Sequence, residues 1–162
     1  MRKINPEHLT ALMKMVNDGA YYRLLSMEVV DIGMGYSRVE VDLREKHTNP
    51  FGSIHGGVYS SIIDTSAYWS AYCELEESAG LTTIDIDVNI LSMISSGFVI
   101  VEGRSIKVGR SVCLTEASAK DESGKLLAYG TSKLMVLQGK QSINDAMKTM
   151  GCEALPPKFL DI

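Results

Sequence analysis

Hydrophobic residues recur along the chain with two periods, and the change between them divides it. Leu9, Leu12, Met13 and Val16 fall at i, i+3, i+4 and i+7, the apolar stripe of an amphipathic helix. Asn5, Pro6 and Glu7 ahead of them supply an N-cap, a proline for the first helical position and an early acid. The spacing predicts a helix over residues 5–18 that ends near Gly19. From Tyr36 the period drops to two: Val39, Val41 and Leu43 alternate with Arg38, Glu40, Asp42 and Arg44, as in a strand with one wet face. Gly33-Met34-Gly35 turns it back on a strand near residues 28–32. After Glu77 four extended stretches are expected, near 81–92, 97–108, 111–121 and 126–138. Ser95-Ser96-Gly97, Gly109 and Asp121-Glu122-Ser123-Gly124 separate them. Turns this short make consecutive strands antiparallel neighbours. In the first of the four, Ile84, Ile86, Val88 and Ile90 share one face, and Thr83, Asp85, Asp87 and Asn89 the other. Beyond Lys140 the tail predicts a short helix from Ser142 to Met150, stopped by Gly151, and an irregular end containing Pro156-Pro157.

Between Leu43 and Glu77 neither pattern holds. Thr48-Asn49-Pro50 and Gly52 mark a loop, Gly56-Gly57 a place where backbone bends or is approached closely, and a helix is expected from Val58 to about Leu75. From His47 to Cys73, Asp64 is the sole formally charged side chain, whereas a surface helix of this length carries several. The helix is therefore expected to be buried on most sides, with an antiparallel sheet curled around it, an α+β architecture. Ser60, Ser61, Ser66, Ala67, Ser70 and Ala71 permit close approach of that sheet.

At 162 residues the chain fits one domain, large enough to bury a core without disulfides or a structural metal. We divide it into a core of roughly residues 25–138, an N-terminal helix and a tail over residues 140–162. The net charge of −4, with scattered basic residues, gives no footprint for a phosphate backbone, so nucleic acid is not an expected partner. Cys73, Cys113 and Cys152 are odd in number and far apart, which fits a reducing compartment, and a cytoplasmic location is expected. No export signal is apparent and no apolar run approaches the roughly 20 residues that span a bilayer, so no membrane association is expected. No metal is expected either, because His8, His47 and His55 lack HExxH or H-x-H spacing.

Asp64 is the anomaly that calls for chemistry. An acid is a poor mid-helix residue, and burying its charge is costly unless it is paired or solvated in a pocket. It is either an acid hydrogen-bonded at a wet gap or a base or nucleophile lining a cleft. Burial would make it more basic, while the helix N-terminus pulls weakly the other way. Gly56 and Gly57 offer uncapped N–H groups at a helix N-terminus, able to polarise a carbonyl and hold its developing oxyanion; they are equally compatible with a tight entry turn. Gly57 and Asp64 are separated by about 10 Å of helix rise, too far for both to serve one carbonyl directly. A bridging water or an acid from a partner chain would relieve the mismatch. His55 is either an acid or base, or a ring that braces the loop.

The string from His47 to Gly57, HTNPFGSIHGG, followed by Asp64 on a helix, resembles the hot-dog-fold acyl-CoA thioesterases, especially the phenylacetyl-CoA thioesterase-like branch. The resemblance extends through TTIDIDVNIL (residues 82–91) and GFVIVEGRSIKVGRS to the final hairpin, covering roughly residues 25–138. It implies a hot-dog fold and two chains whose sheets continue into one, as a homodimer or dimer of dimers, with active sites at the interface. It implies Asp64 as the catalytic carboxylate, Gly56 (or Gly57) as the N–H donor to the thioester carbonyl, and Asn49 assisting from the partner's loop. Thr83 and Asp85 lie where relatives place a hydroxyl that orients water or the carboxylate, and Asp85 departs from that pattern. Lys107, Gly109 and Arg110 fall at a hairpin where relatives approach the CoA moiety. The reaction implied is hydrolysis of an acyl-CoA to an acid and free CoA, with CoA as part of the substrate and no cofactor. Two alternatives stand beside it: a hot-dog hydratase or dehydratase using His55 and Asp64, and a non-catalytic acyl-CoA-binding module. Phe51, Tyr59, Tyr68 and Met93 are candidate lining residues.

Overall fold

The computed structural model describes residues 2–161. A short strand, β1 (Arg2–Ile4), leads to Asn5, whose side chain accepts from the Glu7 N–H and opens α1 (Pro6–Asn17). Leu12, Met15 and Val16 bury the inner face of α1. A second helix, α2 (Ala20–Leu25), follows at once. It is absent from the expectations above because a turn and a half of helix leaves no period in a sequence. Strands β2 (Met27–Gly33) and β3 (Tyr36–Leu43) then form a hairpin through Gly35, whose φ of 69° suits glycine. The long helix α3 (Gly56–Tyr72) precedes β4 (Ala79–Ile90), β5 (Gly97–Val108), β6 (Val112–Asp121) and β7 (Leu126–Gln138). The chain closes with α4 (Ile143–Met150) and β8 (Phe159–Asp161).

Six strands make one antiparallel sheet in the order β2-β3-β5-β6-β7-β4. Helix α3 lies across it with Ile62, Ile63, Ser66, Ala67 and Ser70 fully buried. This is the α+β hot-dog arrangement that the resemblance implies, a sheet wrapped around one long helix with a further helix at the N-terminus. The small residues let the helix sit close. Ser37 Oγ donates to Ser66 O at 2.6 Å, and a Cβ on Gly103 would lie 2.3 Å from that same carbonyl oxygen. Gly103→Ala is therefore expected to force the sheet off the helix, at a cost of about 1–3 kcal/mol. Gly33→Ala, where an added Cβ meets nothing within 4 Å, is expected to leave stability nearly unchanged. Thermal unfolding of both at one protein concentration checks the contrast.

Two expectations need correction. The end of the chain is irregular through Pro156-Pro157, as expected, but not beyond Lys158: β8 pairs antiparallel with β1, and Asn5 N–H donates to Lys158 O at 2.9 Å. Lys158 is buried, its Nζ donating to the carbonyls of Tyr72 and Leu75 at 2.6 Å each, a cation at the C-terminal end of α3. Long-range pairing of this kind carries no local sequence signal. The second correction is in β4, where the register slips between Thr83 and Asp85. Ile84 is the extra residue of a bulge, so the strict alternation read from the sequence breaks there. Thr83 turns toward α3 and Asp85 away from it. The sheet also ends at β4, where Ile84, Ile86 and Ile90 are exposed.

Candidate active site

Helix α3 presents two faces. Against the sheet lie the fully buried residues named above, and on the opposite side Ser60, Ser61, Asp64, Thr65, Tyr68 and Trp69 recur at helical spacing along a cavity of about 590 Å³. Asp64 is half-buried in that wall. It is the sole formally charged side chain among the residues that line it. Thr83 Oγ1, brought inward by the β4 bulge, donates to Asp64 Oδ1 at 2.8 Å. Oδ2 has no protein partner among the described residues. Burial pushes the Asp64 carboxyl above the ordinary carboxylate range, and the Thr83 hydrogen bond, which favours the charged form, pulls it partly back. A carboxylate fixed by one oxygen, with the other free at a cavity, can accept a proton from water or attack an electrophile.

The loop before α3 is tied together by hydrogen bonds. His47 is buried, its Nδ1 accepting from Arg44 N–H at 2.8 Å and its Nε2 donating to Leu25 O at 2.6 Å. His47 O in turn accepts from His55 N–H at 2.8 Å. Asn49 Oδ1 accepts from Phe51 N–H at 2.9 Å and Ser53 N–H at 3.3 Å, which leaves the Asn49 amide hydrogens unused among the described residues. His55 is the N-cap of α3, and its Nδ1 accepts from Gly57 N–H at 2.9 Å. That bond separates the two glycines: the Gly57 N–H is occupied, while the Gly56 N–H, at the first helical position, has no partner among the described residues. A Cβ on Gly56 would lie 3.1 Å from Ile90 Cδ1, at the far end of β4.

Asp64 and Thr83 are thus brought together. Asn49, His55, Gly56 and Gly57 form a second group, and none of them lines the Asp64 cavity. Gly56 and Asp64 are eight residues apart on one helix, about 12 Å of rise. Asp85 joins neither group, because it faces outward and pairs with Lys133 on β7. Lys107 and Arg110 are exposed at the β5–β6 turn, with no ion pair among the described residues, and Gly109 N–H closes that turn on Val112 O at 3.1 Å. Of the candidate lining residues, Tyr68 borders the cavity, Tyr59 is buried in the core, and Phe51 and Met93 are exposed.

Several residues of the cavity carry no signal in the sequence. Tyr21 and Tyr22 come from α2; Tyr21 Oη and Ser61 Oγ are 2.7 Å apart, and Trp69 Nε1 donates to Tyr22 Oη at 2.9 Å. Ile143, Ala146 and Met150 come from α4. The third histidine serves the tail, with His8 Nδ1 donating to Pro156 O at 2.6 Å and Nε2 accepting from Tyr72 Oη at 2.7 Å. Burial lowers the His8 pKa, against the raising effect of the Pro156 hydrogen bond, and so favours the neutral ring.

Residues 51–128 match the thioesterase superfamily. The chain is similar to a 1,4-dihydroxy-2-naphthoyl-CoA hydrolase of Listeria monocytogenes, 28% identical over 112 residues, 69% of this chain and 91% of that one. It is also similar to human acyl-coenzyme A thioesterase 13, 26% identical over 93 residues, 56% of this chain and 66% of that one. Among solved structures, a thioesterase from Haemophilus influenzae superposes with a TM-score of 0.75 at 23% identity, covering 82% of this chain and 92% of that chain. These relatives support a hydrolase. No helix among the described residues is long and apolar enough to cross a membrane.

Proposed function

We propose that this protein hydrolyses acyl-CoA thioesters to a carboxylic acid and free CoA in a site shared by two copies of the chain. The observation that carries this reading is Asp64, a half-buried carboxylate held by Thr83 on the wall of an otherwise uncharged cavity. Acting as general base, Asp64 takes a proton from water as the water oxygen adds to the thioester carbon. The Gly56 N–H donates to the carbonyl oxygen as it gains negative charge, an interaction stronger in the transition state than in the ground state. The C–S bond then breaks, and the thiolate of CoA leaves and is protonated. Direct attack by Asp64, with later hydrolysis of the anhydride, gives the same products. The Asn49 amide can assist at the oxyanion, His55 and Gly57 hold the helix entry, and the Lys107 and Arg110 side chains on the turn closed by Gly109 suit the CoA phosphates.

The two groups of residues are too far apart along α3 to serve one carbonyl within a single chain, and β4 supplies a remedy. It is an edge strand with exposed Ile84, Ile86 and Ile90, the kind of edge that pairs with another strand. Thr83 beside Asp64 and Ile90 beside Gly56 lie near opposite ends of it. Antiparallel pairing of two such strands about a two-fold axis near Asp87 would set Asp64 of one chain against Gly56 of the other.

The test is to incubate the protein with a panel of acyl-CoAs and follow free thiol. Thiol release supports hydrolysis. Hydration of an enoyl-CoA without thiol release would assign a lyase, and saturable binding without product a carrier or sensor; either would overturn the proposal. Thr83 gives a finer check through pH. Its hydrogen bond favours the charged form of Asp64, so Thr83→Val is expected to raise the Asp64 pKa further. The acidic limb of the kcat profile should move to higher pH in the variant.

A further inference from the structure

The cavity behind Asp64 is bounded mostly by residues outside the matched segment 51–128: α1 and α2 on one side and α4 on the other. Ile143, Ala146 and Met150 recur at i, i+3 and i+7, so one face of α4 forms the wall. Two devices hold that helix in place. Met147, one position round from Ala146, is buried in the core, and Ser142 with Asp145 makes a reciprocal capping box at its start. The chain enters α4 pressed onto β4, where a Cβ on Gly80 would lie 2.2 Å from Lys140 O. The cavity volume of about 590 Å³ is within the range of small-molecule sites. Tyr22 and Tyr68 on its wall are pushed up to about 12 by burial, so both phenols are neutral at physiological pH.

We propose that α4 is the wall that limits the acyl group: an uncharged, apolar acyl chain enters past Asp64 and ends against Ile143, Ala146 and Met150. The inference rests on the thioesterase reading and adds a substrate class to it, extended apolar acyl groups. An acetyl group would leave most of the cavity unfilled, and each methylene added against an apolar wall strengthens binding. A charged acyl terminus would have to be buried without a partner.

The test compares kcat/KM across acetyl-, hexanoyl-, decanoyl- and palmitoyl-CoA. Ala146→Phe places a ring in the cavity and is expected to lower the decanoyl-to-acetyl ratio by about tenfold or more. Met150→Ala opens the wall and is expected to raise the palmitoyl-to-decanoyl ratio. Ratios within about twofold of wild type in both variants, or a wild-type enzyme that prefers acetyl-CoA, would overturn the proposal. A second readout does not depend on turnover. Trp69, the sole tryptophan, lines the cavity, and titration with decanoate should perturb its fluorescence saturably, with weaker binding in Ala146→Phe. If no acyl-CoA releases thiol while decanoate still binds and Ala146→Phe weakens it, the hydrolysis reading fails and the wall stands. If thiol is released but Trp69 does not respond to decanoate, the wall fails and hydrolysis stands.

Discussion

Asp64→Asn is expected to lower kcat for thiol release from acyl-CoA by about 10²–10⁴-fold, the range for loss of a positioned general base, and by more if Asp64 is the nucleophile. The substitution keeps the shape of the side chain and can keep the hydrogen bond from Thr83 through its amide oxygen. It removes a charge that burial already disfavours. Stability should therefore hold or rise slightly, and an unchanged melting temperature alongside lost turnover separates chemistry from folding. KM should change little, because the carboxylate contributes to the transition state and not to binding of a neutral thioester. Wild-type kcat in the Asp64→Asn variant would mean that water is activated elsewhere.

Gly56→Pro is expected to lower kcat/KM by about 10²–10³-fold, the cost of removing one oxyanion donor. A backbone N–H is seldom open to mutation without damage, but this one is. Gly56 is the first residue of α3, the position where proline is best tolerated because its missing N–H has no helical partner. His55 ahead of it has φ −66° and ψ 137°, the extended conformation that a following proline requires. Gly56→Ala is the control. It keeps the N–H and adds only a Cβ, which meets the flexible end of Ile90. Proline should abolish activity where alanine retains most of it. Equal losses would assign the effect to crowding of Ile90 instead.

The fold was legible in the sequence wherever one face of an element is wet. Strand β3 shows the alternation of Val39, Val41 and Leu43 because its other face carries Arg38, Glu40 and Asp42 into solvent. Helix α3 was legible for the opposite reason, since a long helix with one charge can only be enclosed. That same scarcity of charge singled out Asp64. Elements fixed by distant contacts were not legible. The pairing of β8 with β1, the burial of Lys158 under α3 and the contribution of α4 to the cavity all depend on the chain returning to its start. The bulge at Ile84 decided the fate of two candidates: alternation groups Thr83 with Asp85, whereas one inserted residue sends Thr83 to Asp64 and Asp85 to Lys133. The choice between Gly56 and Gly57 was likewise closed to sequence, because it turns on which N–H the His55 ring occupies.

Mixing the two inactive variants tests the central claim most directly. Asp64→Asn and Gly56→Pro chains, each alone nearly inactive, are combined in equal amounts under conditions where subunit exchange is verified, and thiol release from decanoyl-CoA is followed. A site shared between chains predicts recovery to about one quarter of wild-type activity, since half the dimers are mixed and one of their two sites has both Asp64 and Gly56. Verified exchange without any recovery would contradict the shared site and the pairing of β4 edges that creates it.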